Sequence, residues 1–353
     1  MVSAKAGTDS FSRVERICQT TLDVTTLRLA LLDEIRRVVD FDVFAWLITD
    51  PETSVGSSPL ANAPRLAELP RLIQLKYLTE LNRWTGLTAP VALLHHVTDG
   101  DLSRSLLFRE LLHRYDVRDV ASVVFRDTFG CWGFLDLWRC APLAPFTAAE
   151  EAYLAGIAPQ VASALRRSQA HALTATGRPD RLRGPVVLLL SSDLAVLAQT
   201  PETDAYLRVL VPPNADRSPV PASAYNVAAQ LLAIEAGVDI NPPSARVHLS
   251  GGRLLTLRAA WIGDPHTDAG SARIAVTMED SSPSDRAELF ARAHGMTIRE
   301  RELLSHLIGG SDTRELARAM FLSEHTVQDH LKSMFDKASV HSRRTLLSRA
   351  LGT

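Results

Sequence analysis

Along this chain the apolar residues change period several times, and each change marks an element. From Phe11 to Val39 the residues Val14, Ile17, Cys18, Leu22, Leu27, Leu31, Ile35 and Val38 keep mostly helical spacing and predict one long helix. Val43–Thr49 (VFAWLIT) reads as a strand closed by an Asp50-Pro51 turn. Arg65–Trp84 is apolar at helical spacing again. Asp119–Phe125 and Cys131–Trp138 form a predicted hairpin that Pro142 and Pro145 end. Thr147 and Glu150 stand three apart, as a reciprocal helix cap requires, and open a helix Ala148–Gln169 with Leu154, Ile157, Val161 and Leu165 inward. Helix, strands, helix, antiparallel strands and helix make an α+β pattern over residues 1–173.

Thr174–Gly184 carries Thr, Gly, Pro and charge without periodicity and reads as a linker. Beyond it come predicted strands Pro185–Leu190 and Ala195–Gln199, with a turn at Ser191-Ser192-Asp193 between them. A short helix opens at Thr200-Pro201-Glu202, and Pro212–Pro221 is a proline-rich loop. Ala222–Glu235 is helical, and Arg246–Leu249 and Arg253–Ala260 flank a Gly251-Gly252 hairpin turn. Arg273–Met278 closes this second α+β block, residues 185–283. Ser284–His294 is a connecting helix, placed at residues 284–295.

The pattern from Met296 to Thr353 is the most telling. Thr297 precedes Glu300 by three residues and Asp312 precedes Glu315 by three, so each pair is placed to form a capping box. Ser323 opens Glu324–Phe335 with a hydroxyl suited to an N-cap, and Ser342 opens a last helix, Ser342–Leu351. The apolar sets Leu303, Leu304, Leu307, then Leu316, Ala317, Met320, then Val327, Leu331, Met334, Phe335 keep helical period, and only Phe321–Leu322 separates the second set from the third helix. That is helix-turn-helix geometry, expected to lay the third helix in the major groove of DNA. Val327, Leu331 and Met334 turn inward on such a helix, which leaves His325, Gln328, Asp329 and Lys332 facing out.

The segment resembles the LuxR/FixJ-type (NarL-like) helix-turn-helix family. The words that carry the resemblance are Thr297-x-Arg299-Glu300-Arg301-Glu302, Gly310, Glu315-Leu316-Ala317, Leu322-Ser323-Glu324-x-Thr326-Val327, His330-Leu331, Lys337 and Val340-x-Ser342-Arg343. The resemblance implies a transcriptional regulator that binds double-stranded DNA. Gln328, Asp329 and Lys332 stand at the family's base-reading positions, with His325 beside them: Gln pairs with adenine, Asp accepts from cytosine and Lys reaches guanine. Asp329 departs from the pattern, because an acid is repelled by nearby phosphates. Thr326, His330, Lys337, Arg343 and Arg344 are the expected phosphate contacts, which set affinity and register. Arg299 and Arg301 either join them or pair with acids inside the module. The last helix, with Leu346, Leu347 and Ala350 on one side, is often the dimer contact in this family. A homodimer would then set two recognition helices roughly 34 Å apart on a near-palindrome, and RNA polymerase is a further expected partner.

The front of the chain resembles two sensory folds. The element order of residues 1–173, with the segment FTAAEEAYLAGIAPQVASAL, resembles a GAF domain, and residues 185–283 resemble a PAS domain. The expected fold class is therefore multi-domain, with an α+β GAF-like domain, an α+β PAS-like domain and an all-α four-helix module at residues 296–353. Two readings of the front remain open. It senses an unidentified small molecule, or it is a ligand-free scaffold for dimerisation. Trp46, Trp132 and Trp138 line a pocket on the first reading and are aromatic core on the second.

Composition narrows the rest. The chain has 353 residues, 46% hydrophobic and 22% charged, with a net charge of −2, so any affinity for nucleic acid must be local. Lys337, Arg343, Arg344 and Arg349 fall in a stretch, Lys337–Thr353, without Asp or Glu. Three cysteines do not build a disulfide framework, and no leader or membrane-length apolar run occurs; a cytoplasmic protein is expected, not bound to a membrane. Cys131 and Cys140 stand nine apart, on opposite faces of a regular strand, and are expected to be structural. The adjacent His95-His96 pair cannot share one face of a strand and is expected in a loop or at an edge rather than as ligands; haem ligation by either, or by His113, stays open without positive support, and no metal or cofactor is evident. No nucleotide-binding, hydrolase or metalloprotease motif occurs, so an enzyme is not expected. Val186–Leu190 leads into Ser191-Ser192 with only Asp193 as an acid, which disfavours a phosphoacceptor domain and hence a phosphorylation-dependent response regulator.

Overall fold

A computed structural model describes residues 4–62, 65–174, 186–210, 221–248, 253–263 and 272–352. The first unit opens with helices α1 (Ala4–Thr20) and α2 (Val24–Arg36), strands β1 (Val43–Thr49) and β2 (Gly56–Ala61), and helix α3 (Leu69–Leu78). Strand β3 (Val91–Leu93) follows, then the short helices α4 (Leu94–Val97) and α5 (Leu106–Glu110), the long strands β4 (Val117–Asp127) and β5 (Gly130–Cys140), and helix α6 (Ala148–Thr174). The second unit comprises β6 (Val186–Leu190), β7 (Val196–Gln199), α7 (Thr203–Leu210), α8 (Ala222–Glu235), β8 (Ser244–His248), β9 (Leu254–Ile262) and β10 (Arg273–Asp280). Helix α9 (Pro283–Ala293) then leads into α10 (Ile298–Ile308), α11 (Thr313–Ala319), α12 (Glu324–Ala338) and α13 (Arg343–Leu351). Among the described residues no helix is long and apolar enough to cross a membrane.

One expectation fails at the start. The helix predicted over Phe11–Val39 is two helices, because the Asp23 side chain accepts the Thr26 N–H at 2.7 Å and starts a new helix there. Leu22, counted inward on the single-helix pattern, lies in the break and is exposed. The helix expected over Arg65–Trp84 is regular only over Leu69–Leu78. His95 and His96 sit in the short α4 rather than in a loop or at a strand edge. The expected linker at 174–184, the proline-rich loop and the Gly251-Gly252 turn fall wholly or almost wholly outside the described residues.

The two sheets share a topology. The first runs β2-β1-β5-β4-β3 and the second β7-β6-β10-β9-β8, all antiparallel, so each block orders its own strands 2-1-5-4-3. On one face of the first sheet lie α1, α2 and α6, packed on Trp46, Phe125 and Trp132. Against the other face lie α3 and a helix from the second unit, α8, which also packs on β8, β9 and β10 of its own sheet. The sequence of α8 explains how it serves both. Ala222 to Gln230 are all buried, and the run AAQLLA offers apolar surface all round rather than a stripe. Ala224, Ala228 and Ala229, each at 0% exposure, let neighbours approach closely on more than one side. The two units therefore share one core instead of standing apart.

Candidate nucleic-acid interface

The terminal module is built by its caps. Thr297 Oγ1 accepts the Glu300 N–H at 3.3 Å while Glu300 Oε2 accepts the Thr297 N–H at 2.6 Å. Asp312 and Glu315 make the same exchange at 2.9 and 2.7 Å. Ser323 and Ser342 each accept one N–H, from Thr326 and Thr345, both at 3.1 Å. Such caps contribute about 1 kcal/mol each. They fix where each helix starts and hence which side of it meets the core. Val327 and Met334 are completely buried and Leu331 nearly so, as the spacing predicts.

The outward side of α12 carries His325, Gln328, Asp329 and Lys332, all exposed. His325 Nε2 lies 3.7 Å from Asp329 Oδ2, one helical turn on. Among the described residues, nothing in the front units covers this face. The residues expected at phosphates divide. Arg344 is exposed, while Thr326 and His330 are half-buried at the edge of the same helix. Lys337 instead turns into the module, where Nζ donates to Glu300 Oε2 at 2.6 Å. Arg343 donates to the Ser311 carbonyl, tying α13 to the loop before α11. Arg299 and Arg301 both pair with acids, Glu302 at 2.8 Å and Glu288 at 2.7 Å.

Glu300 is the hub of the module, a role that its place in a capping box signals only in part. Burial alone would raise its pKa. Hydrogen bonds from Lys337, Ser333 (2.7 Å) and the Thr297 N–H more than offset that, and hold the carboxyl below its usual range. One buried carboxylate thus joins α10 to α12. The turn between α11 and α12 departs from expectation in another way. Phe321 adopts φ +56° and is 94% exposed, in a left-handed position that glycine usually fills. Nothing in the structure explains why an aromatic stands there.

The apolar side of α13, expected to face a second chain, is occupied within this one. Leu346 and Ala350 are fully buried, and the helix packs on α9 and α12. The connecting helix, in turn, is held by arginines that the sequence pattern does not single out. Arg166 Nη1 donates to the Ala293 carbonyl at 3.2 Å, and Arg292 Nη1 to the Phe129 carbonyl at 3.1 Å. Gly295, at φ +66°, makes the bend into the module, and a Cβ there would stand 3.1 Å from Arg166. Behind this lies a buried junction of three elements. Arg246 on β8 meets both oxygens of Asp50 in a fork, at 2.6 and 2.7 Å, and donates to Glu52 at 2.9 Å and to the Asp285 carbonyl of α9 at 3.0 Å. Burial would raise the Asp50 pKa, but the Arg246 guanidinium wins and lowers it. Asp50-Pro51 reads as a turn in the sequence, and only the fold reveals the carboxylate's second role.

The family and sequence matches to known proteins fall in this module. Residues 294–350 match the family described as "Bacterial regulatory proteins, luxR family". The chain is 42% identical over 55 residues to the "Probable csgAB operon transcriptional regulatory protein" of Salmonella typhimurium, and equally to the "CsgBAC operon transcriptional regulatory protein" of Escherichia coli. These matches cover 16% of this chain and 26% of each relative, so the chain spans about a quarter of the length of the curated relatives it matches. Among solved structures, Escherichia coli SdiA aligns with 95% of this chain and 93% of its own at 12% identity, with a TM-score of 0.34. The C-terminal segment is thus a LuxR-family helix-turn-helix domain.

Proposed function

We propose that this chain is a sequence-specific DNA-binding transcriptional regulator, and that α12 is its recognition helix. The observation that carries the reading is the exposed row of His325, Gln328, Asp329 and Lys332, set by the Ser323 cap on a helix whose opposite side is core. In this reading Gln328, Asp329 and Lys332 read base edges, with His325 beside them at the amino end of α12. Thr326, His330 and Arg344 approach phosphates, and Arg343 does so from the N-terminus of α13. Lys337 acts through Glu300, by holding α12 on α10, rather than by reaching the backbone of DNA. Base readers on a single α12 cover only a few base pairs, so a homodimer on a near-palindrome is the functional form. The buried apolar side of α13 directs that contact to other surfaces of the chain.

The front units are the signal-receiving part. Two sheets with the same 2-1-5-4-3 order support the reading of GAF-like and PAS-like units, and an apolar cavity between the first sheet, α3 and α8 favours a sensor over a bare scaffold. The test is selection of bound sequences from random duplex DNA with the full chain across a salt series. A near-palindrome with half-sites about one helical turn apart is expected, with affinity falling steeply as salt rises. Lys332→Ala should relax preference at one position in each half-site and weaken binding about tenfold or more. Unchanged affinity and preference in that variant would remove Lys332 from the bases and α12 from the interface in this register.

A further inference from the structure

Between the first sheet, α3 and α8 lies an apolar cavity of about 40 Å³. Trp46 and Trp132, two of the three tryptophans that the sensor reading places in a pocket, belong instead to the core on the other face of that sheet; Trp138 does line this cavity. One wall carries a buried polar cluster. Lys76 Nζ sits 2.9 Å from Asp136 Oδ2, with both side chains under 5% exposed. Asp136 also accepts from Trp84 Nε1 at 2.9 Å and from Ser122 Oγ at 2.7 Å. The facing wall comes from the second unit, through Ala222 and Asn226 of α8.

Two buried polar atoms on the lining residues have no partner among the described residues, the donor Trp138 Nε1 and the acceptor Asn226 Oδ1. The assignment of the Asn226 amide follows from its other end, where Nδ2 donates to the Ala222 carbonyl at 2.8 Å. Orphaned groups of this kind are costly to keep from water and call for a partner. A ligand that satisfies both carries an acceptor and a donor. It is also uncharged, because Lys76 and Asp136 already neutralise one another and a further charge in this apolar space would go uncompensated.

Size supplies the mechanism. A single water needs about 10–15 Å³ on this measure, so the cavity as it stands takes only a few heavy atoms. A longer molecule must displace a wall. Strands β1 and β5 are hydrogen-bonded on both sides within the first sheet, whereas α8 belongs to the other unit. We propose that this cavity is a composite ligand site shared by the two units, taking a small uncharged molecule with a carbonyl-type acceptor beside an N–H or O–H donor, and that occupancy is transmitted through α8 to the second unit. The proposal rests on the reading of the front as a sensor, and it is tested without DNA, so it fails or stands separately from the DNA selection.

The probes are acetamide, butyramide and hexanamide, with butyrate and butylamine as charged counterparts, added to the full chain. Trp84 and Trp138 in the wall give the readout by intrinsic fluorescence, and melting temperature gives a second. Expected is a saturable response to the amides and none to the charged pair. Trp138→Phe removes a donor that bonds to nothing in the described structure, so the variant should melt near the wild type and bind butyramide roughly fivefold to tenfold more weakly, the effect of one hydrogen bond. Ala222→Leu fills the cavity from α8 and should abolish the response, with Ala222→Val as the milder substitute if the leucine disturbs folding. Absence of a saturable response to every amide would overturn the proposal. So would a response that survives both α8 variants, which would confine the site to the first unit.

Discussion

The two sheets have the same strand order and opposite surroundings. In the first, β4 and β5 are buried along nearly their whole length, on both faces. In the second, β7 is exposed at every residue and the ends of β9 and β10 turn to solvent. Antiparallel sheets commonly keep one face wet. The first sheet does not, because α1, α2 and α6 cover one side and α3 together with α8 covers the other. Topology is therefore shared, while the load each sheet carries is decided by what packs on it. The first sheet is the hub of the molecule and the second is its rim.

The sharpest way to break this comparison is to remove one acid from each sheet. Asp136→Leu on β5 leaves Lys76 buried and uncompensated and strips Trp84 and Ser122 of their acceptor. Burial already pushes the Lys76 pKa down against the pull of Asp136, so the loss of that partner is severe. The expected cost is about 3–5 kcal/mol in urea unfolding, most of it recovered in Lys76→Met/Asp136→Leu, where no charge remains to be buried. A loss below about 1 kcal/mol would mean that water reaches this cluster and that the first sheet is not closed.

A second test lies where the rim meets the hub. His248 ends β8 beside the Arg246–Asp50 junction, and burial, helped by the nearby Arg286 charge, brings its pKa down to about 4. The unfolded chain takes up this proton near pH 6.5, the folded one only near 4. Between those values the unfolded state binds more protons. This group's contribution to stability is thus complete above about pH 6.5 and lost as pH falls toward 4, by at most about 1.4 kcal/mol per pH unit. His248→Phe should flatten stability over that window. The Asp50 carboxylate, whose pKa is lowered, acts only at more acid pH, so the two contributions separate on the pH axis.

The terminal module is far more legible in the sequence than this junction, for a physical reason. A helix cap is a contact between residues three apart, so Thr297 with Glu300, Asp312 with Glu315, and the serines at 323 and 342 announce four helix starts in the sequence itself. Asp23 with Thr26 is a cap of the same kind, and it stands where apolar periodicity alone predicts one long helix. In the front units the deciding contacts join residues far apart, such as Asp50 with Arg246 or Lys76 with Asp136, and no local period encodes them. The strands themselves are readable. Even the double burial of β4 leaves a trace, since VASVVF is apolar at every position but Ser122 where a half-wet strand would alternate. At the candidate interface, spacing is enough to place Gln328, Asp329 and Lys332 outward. It is not enough to foresee that Lys337 turns back onto Glu300, which depends on how α10 and α12 cross.

Smaller effects sharpen the contrast on the rim. Glu279 on β10 pairs with Arg258 across to β9, with both side chains about half exposed. Glu279→Ala should cost no more than about 1 kcal/mol, because water screens the pair and Arg258 keeps a second acid, Asp285, at 3.3 Å. Set beside Asp136→Leu, the same loss of a carboxylate from a five-stranded sheet then differs severalfold by location alone.

The smallest effect is expected at the edge. Leu197 on β7 is 49% exposed, and among the described residues its strand pairs with β6 alone, through a register shift between Leu189 and Leu190. An exposed position of this kind buries little that a polar residue would lose, and threonine brings the β-branched shape that strands favour. Leu197→Thr should therefore change stability by less than about 0.5 kcal/mol in urea unfolding. It should also make the edge a poorer template for pairing with another chain, since an apolar edge strand with free N–H and C=O groups invites that contact. If instead the substitution costs more than about 1 kcal/mol in the monomer, β7 is covered and the second sheet is closed like the first. If it lowers stability only at high protein concentration, the edge is where two copies meet, and the rim of one chain becomes part of the hub of a pair.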